Sequence, residues 1–103
     1  MSATGADLTG DIHMLATIHY KPSTLPLVLP YVELIQSEAA GDPNCLRYEI
    51  LVYPPTDTLV VVESYKSKTA IDAHIAGPAH TKYLEECEKY ILEKDWKFYS
   101  KHS

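Results

Sequence analysis

Apolar and polar residues alternate from Ile12 to Tyr20: Ile12, Met14, Ala16, Ile18 and Tyr20 on one parity, His13, Leu15, Thr17 and His19 on the other. A period of two is that of a strand with one face buried, and Pro22 closes it. Beyond Pro22 the period lengthens. Val28, Val32, Ile35 and Ala39 recur at helical spacing, with Ser23 or Thr24 placed to cap the helix and Pro26 tolerated in its first turn. Pro30 lies deeper, where its missing N–H and its ring predict a kink or a late start. Gly41-Asp42-Pro43-Asn44 ends the helix, and Asn44 suits left-handed backbone angles.

Cys45 to Tyr53 predicts a second strand, Pro54-Pro55-Thr56-Asp57 a turn, and Thr58 to Lys66 a third strand, so the pair forms a hairpin. Ser67 can cap a second helix through Ala76. Gly77-Pro78 interrupts it, and Ala79 to Glu93 resumes with Tyr83, Cys87, Tyr90 and Ile91 on one face. Asp95 to Ser100, where Trp96 and Phe98 alternate with Lys97 and Tyr99, predicts a short last strand. The order is βαββαβ, an α+β class with an antiparallel sheet and both helices on one of its faces. Strand three is apolar on both parities, Leu59 and Val61 against Val60 and Val62. Such a run calls for burial on both sides, and a second copy of the sheet is the simplest cover for the open face.

A chain of 103 residues has room for one domain with one core. Met1 to Asp11 shows no periodicity and reads as a flexible leader, leaving residues 12–103 as a single domain. The net charge of −5, without a Lys or Arg cluster longer than two, argues against nucleic acid and anionic lipid as partners. No apolar run approaches the ~20 residues that span a bilayer, and the leader lacks the regions of an export signal. Two cysteines are too few for a disulfide framework, which fits a reducing, cytoplasmic setting. Cys45 opens a strand and Cys87 falls in a helical stripe, positions that suit packing. His13 and His19 stand roughly 20 Å apart along one strand, too far to share an ion. No metal-ligand spacing and no phosphate-cradling glycine motif is present, so no cofactor is expected.

Across the junction of strand three and helix two, Glu63-Ser64-Tyr65-Lys66-Ser67 is followed by Ala70-Ile71-Asp72-Ala73-His74. This resembles the signature of the antibiotic biosynthesis monooxygenase family. Ala16-Thr17-Ile18 ending at Pro22 resembles that family's first strand, and Asp42-Pro43-Asn44-Cys45-Leu46-Arg47-Tyr48 its entry to strand two. The resemblance implies a ferredoxin-like subunit whose sheet pairs with a second copy in a dimeric α+β barrel. It also implies a small aromatic or polyketide-like substrate, held between sheet and helices and oxygenated by O₂ without metal, flavin or haem. Two positions depart from the pattern. The pocket asparagine of the family's oxygenases has no counterpart, the only asparagine being Asn44 in a turn, and the Pro-His pair after the helix break is here Pro78-Ala79-His80.

An oxygenase without a cofactor needs a base, a dry pocket and donors for the anion it makes. His74 is the candidate base, since its intrinsic pKa lies near physiological pH and it shares a helical face with Ala70. Glu63 is its candidate partner, a carboxylate that would orient the imidazole and raise its basicity. Tyr20, Tyr48, Tyr65 and Tyr83 are candidate substrate-binding walls, among eight tyrosines set against a single phenylalanine. Three readings follow: a monooxygenase of hydroquinones, anthrones or similar aromatics; an isomerase or cyclase using the same base; and a non-catalytic dimer that binds a small metabolite.

Overall fold

The computed structural model describes residues 4–102. The elements run β1 (Ile12–Tyr20), α1 (Leu25–Ala40), β2 (Cys45–Tyr53), β3 (Thr58–Tyr65), α2 (Lys68–Ile75), α3 (Pro78–Cys87) and β4 (Ile91–Ser100). The strands form one antiparallel sheet in the order β2-β3-β1-β4. This is the ferredoxin-like α+β fold, βαββαβ, with its second helix in two pieces.

The alternation in β1 becomes burial: every even residue from Ile12 to Tyr20 is buried and every odd one half-buried. Residues opposed across strands share a face, so Met14 sets Glu63 and Phe98 on the helix side, and Ala16 does the same for Val61 and Trp96. Against this row α1 buries Leu25, Val28, Val32, Ile35 and Ala39, and Ile71, Tyr83 and Cys87 complete the core from α2 and α3. The other face carries no helix. There His13 and His19 bond Ser64 and Thr58 across the strands, at 2.7 and 2.8 Å. Leu15, Val60 and Val62 are half-buried on that face, and Leu51 and Tyr99 exposed.

The ends of several elements differ from the sequence expectation. The helix expected to reach Glu93 stops at Cys87, a 3₁₀ turn covers Glu88–Tyr90, and β4 begins at Ile91 instead of Asp95. The cause is β1, whose whole length from Ile12 to Tyr20 pairs with Ser100 back to Ile91; the Lys21 N–H also donates to the Tyr90 carbonyl at 2.8 Å. A full ladder of backbone bonds outweighs the helical spacing of Tyr90 and Ile91. Asn44 does not take left-handed angles; among the described non-glycine residues Ser23 and Asp57 do. The Asn44 N–H instead donates to Asp42 Oδ1 at 2.9 Å.

Helix α1 is capped from a distance. Thr24 stands at the cap position without a capping bond, and its hydroxyl donates to the Lys21 carbonyl. The carboxylate of Asp57, in the β2–β3 turn, accepts the N–H groups of Ser23 and Leu25 at 3.1 and 3.0 Å. Pro30 does not interrupt the helix. Pro26 and Pro30 both lie on its exposed side, where water can serve the carbonyl left without a donor. Ser67 caps α2 as expected, accepting from the Ala70 N–H at 3.1 Å. Of the segment expected as a leader, residues 1–3 lie outside the described residues. Farther along it, Gly5 is buried against Phe98 and Leu8 packs on the core.

Candidate functional site

The inward parity of β3 carries Leu59, Val61, Glu63 and Tyr65, so an apolar row runs into a carboxylate. After the Ser67 cap, Ala70, Ile71 and His74 fall on the buried side of α2, as i, i+3 and i+4 spacing requires. The helix thereby turns His74 back onto β3, with Nε2 3.5 Å from Glu63 Oε1. The same oxygen accepts the Tyr65 hydroxyl at 2.6 Å. His74 is 7% exposed and Glu63 4%. Around the imidazole stand the rings of Tyr65, Tyr48 and His80, with centroids 5.2, 5.8 and 5.8 Å away.

Burial reverses the direction expected for His74. With no close cation to favour it, the Glu63 carboxylate is pushed by desolvation up to about 7, against a smaller opposing effect of the Tyr65 hydrogen bond. Desolvation pushes His74 down to about 4, and His80 adds to the effect. At 3.5 Å the contact is longer than a good hydrogen bond, so neither group holds the other in its charged form. Near pH 7 the imidazole is neutral and the carboxyl is at the midpoint of its ionisation, which leaves the carboxylate the stronger base of the two.

Both side chains open onto a cavity between the sheet and the helices, with Met14, Ala16 and Val61 in its floor and Ile71 and Leu84 above. Its volume is ≈ 40 Å³, the room of a few waters at roughly 10–15 Å³ each; a ligand of several rings enters only if the roof shifts. Tyr48 and Tyr83 line it. Tyr20 and Tyr65 do not line it and stand behind those that do. Tyr20 and Tyr83 share a buried hydroxyl–hydroxyl contact of 2.5 Å, while Tyr65 backs Glu63. Burial raises all four phenols, Tyr83 to about 12, so they stay protonated and act as donors.

Three further lining residues were not singled out from the sequence for a role: His80, Lys94 and Trp96. The parity of Trp96 and Phe98, carried two residues back, identifies Lys94 once β4 is known to begin at Ile91. His80 sits beyond the Gly77-Pro78 break, whose angle no periodicity reveals. Its Nδ1 is buried without a hydrogen-bond partner, and burial lowers its pKa, with Glu38 opposing and Lys94 reinforcing. Among the described residues no three His, Cys, Asp or Glu side chains gather as a metal ion's ligands would, and no helix is long and apolar enough to cross a membrane.

The sequence model of the antibiotic biosynthesis monooxygenase family matches residues 12–86. No protein of curated function matches the chain. Solved structures share the fold. Rv0793 of Mycobacterium tuberculosis superposes with a TM-score of 0.81 at 15% identity, over 90% of this chain and 96% of that one. PA3566 of Pseudomonas aeruginosa gives 0.84 at 11% identity, over 95% and 100%. A structure described as an antibiotic biosynthesis monooxygenase gives 0.81 at 19%, over 89% and 99%. At such identities the structural likeness is one of fold, and the sequence match is what reaches further: it spans most of the chain, which therefore belongs to the antibiotic biosynthesis monooxygenase family.

Proposed function

We propose that the protein is a cofactor-independent monooxygenase acting on a small electron-rich aromatic, a hydroquinone or an anthrone, with O₂ as co-substrate. The observation that carries this reading is a buried imidazole facing a buried carboxylate at the wall of an apolar cavity. With Nε2 of His74 turned to Glu63 and the carboxyl ionised, as it becomes through pH of about 7, Nδ1 takes the proton of the substrate and Nε2 passes its own to the carboxylate, the stronger base. The substrate anion then gives one electron to O₂. Recombination forms a C–O bond, the peroxide anion takes back the proton held by the pair, and the hydroperoxide loses water, so that one oxygen atom stays in the quinone and the other leaves as H₂O. Low water content favours this course, because it protects the anion and strengthens the donors around it. Tyr48 and Tyr83 serve as walls with hydroxyl donors, Tyr20 and Tyr65 as the groups that fix Tyr83 and Glu63.

The working unit in this reading is a homodimer. The helix-free face exposes Leu51 and Tyr99 beside the half-buried Leu15, Val60 and Val62, an apolar surface that a second sheet would cover. The test of the reaction is an oxygen electrode with chelator-treated protein and a panel of hydroquinones and anthrones. Uptake above the uncatalysed rate supports oxygenation, and its absence with every substrate that binds removes it. A second reading, isomerisation or cyclisation by the same proton pair, is favoured by one observation: Asn44 lies exposed in the turn before β2, away from the cavity. Turnover without oxygen uptake would select it.

A further inference from the structure

One end of the cavity differs from the rest. Where α3 and β4 bound it, His80 and Lys94 bring nitrogen groups able to meet an anion, next to the indole of Trp96. Lys94 holds its Nζ 5.3 Å from the centroid of the Trp96 ring. Lys94 is exposed, and no carboxylate of the described residues pairs with it. The Nδ1 of His80 is buried and unpartnered, a costly arrangement unless a ligand supplies the partner. Glu38, the nearby carboxylate that acts on His80, turns its Oε2 to the Ala79 N–H at 3.1 Å. Glu63, the other acid of the cavity, lies beside His74 on β3, and burial lifts its pKa to about 7, which lessens its repulsion of an anion at lower pH.

We infer that the ligand of this cavity is an aromatic acid, its ring lying on the apolar floor beside Trp96 and its carboxylate held between the His80 Nδ1–H and the Lys94 ammonium. This rests on the reading of the cavity as a substrate site, and names the substrate class that site selects. Held there, the carboxylate satisfies the orphan nitrogen and meets the Lys94 cation, while the ring enters the hollow that His74 and Glu63 also line as the roof shifts to admit it. His80 and Lys94 are then specificity-determining residues, distinct from the proton pair.

Trp96 is the chain's only tryptophan and reports binding directly. The probes are naphthalene-2-carboxylate and its neutral isostere naphthalene-2-carboxamide, titrated against tryptophan fluorescence. The carboxylate is expected to bind about 10-fold tighter or more, as charge-assisted bonds outweigh neutral ones. K94M and H80F should each reduce that preference, K94R should keep it, and raising salt from about 50 to 500 mM should weaken the carboxylate alone. Equal affinity of the two probes, or a preference that survives both K94M and H80F, overturns the inference while leaving the cavity as a binding site. Binding of neither probe overturns both. The readout requires no turnover, so failure of the oxygenase reading does not disturb it.

Discussion

Glu63 and His74 meet at 3.5 Å, each driven away from its charged form by the same burial. Their effects on folding have opposite signs. The raised Glu63 means that the folded state keeps a proton the unfolded chain has lost, so its contribution is full below about 4.5 and disappears as pH climbs to about 7. The lowered His74 means that the unfolded chain takes up a proton the folded state refuses, so stability falls as pH drops from 6.5 to about 4. Between the two the slopes cancel, and the wild type should show a plateau. Urea titrations at pH 4 to 8 should give E63Q a stability that rises with pH through 4–6.5. H74N should fall with pH through 4.5–7, by about 3 kcal/mol for a shift of this size in so buried a group. Parallel curves for the two variants would contradict the assignment.

Asp57 joins the β2–β3 turn to α1 through two backbone N–H groups and itself sits at φ 47°. Asp57→Ala removes the cap and puts a Cβ-branching-free but non-glycine residue into left-handed angles, which should cost about 1–2 kcal/mol in the urea midpoint. Asp57→Asn tolerates the angles but keeps one acceptor for two N–H groups that bond separate oxygens, so it should lose about half of that. An Asp57→Ala as stable as the wild type would mean that the carboxylate does not act as a cap.

Tyr83→Phe leaves the buried hydroxyl of Tyr20 without its 2.5 Å partner. An orphaned buried donor costs about 1–3 kcal/mol, whereas the double variant Tyr20→Phe/Tyr83→Phe leaves nothing unpaired. The double variant should therefore be more stable than the sum of the two single losses, by about 1 kcal/mol in a double-mutant cycle. Strict additivity would show that the hydroxyls do not depend on one another.

The regular parts of this fold are legible in local pattern. The alternation from Ile12 to Tyr20 fixes β1 and its buried face, and Cys45–Tyr53 matches its expected bounds because turn residues flank it on both sides. The pairing of His74 with Glu63 is also readable, since the parity of β3 and the helical face of Ala70 each place one partner. What pattern hides is set by contacts far apart in the chain. Asp57 caps a helix more than 30 residues upstream. Lys94 joins Trp96 at the cavity only because β4 starts early to match β1. Tyr83, Cys87, Tyr90 and Ile91 look like one helical stripe although a turn divides them.

Gly77 illustrates the same distance effect on the roof of the cavity. A Cβ there would stand 2.3 Å from Glu38 Oε1 and 3.2 Å from the His74 carbonyl, although its φ of −68° suits any residue. Gly77→Ala should therefore destabilise by about 1 kcal/mol or more, by expelling the Glu38 carboxylate from the Ala79 N–H. In the background of Glu38→Ala the same change should cost distinctly less. An equal cost in both backgrounds would place the conflict in the backbone.

The most direct measurement is the initial rate of oxygen uptake, with whichever hydroquinone or anthrone the wild type consumes, compared across wild type, H74A and E63Q over pH 5 to 9. General-base removal is expected to lower the H74A rate by about 10² or more, with its oligomeric state by light scattering unchanged. The wild-type kcat/KM should climb through pH of about 7 as Glu63 ionises, a limb absent from E63Q. An H74A enzyme that takes up oxygen at the wild-type rate would contradict the proposal that the buried imidazole moves the substrate's proton.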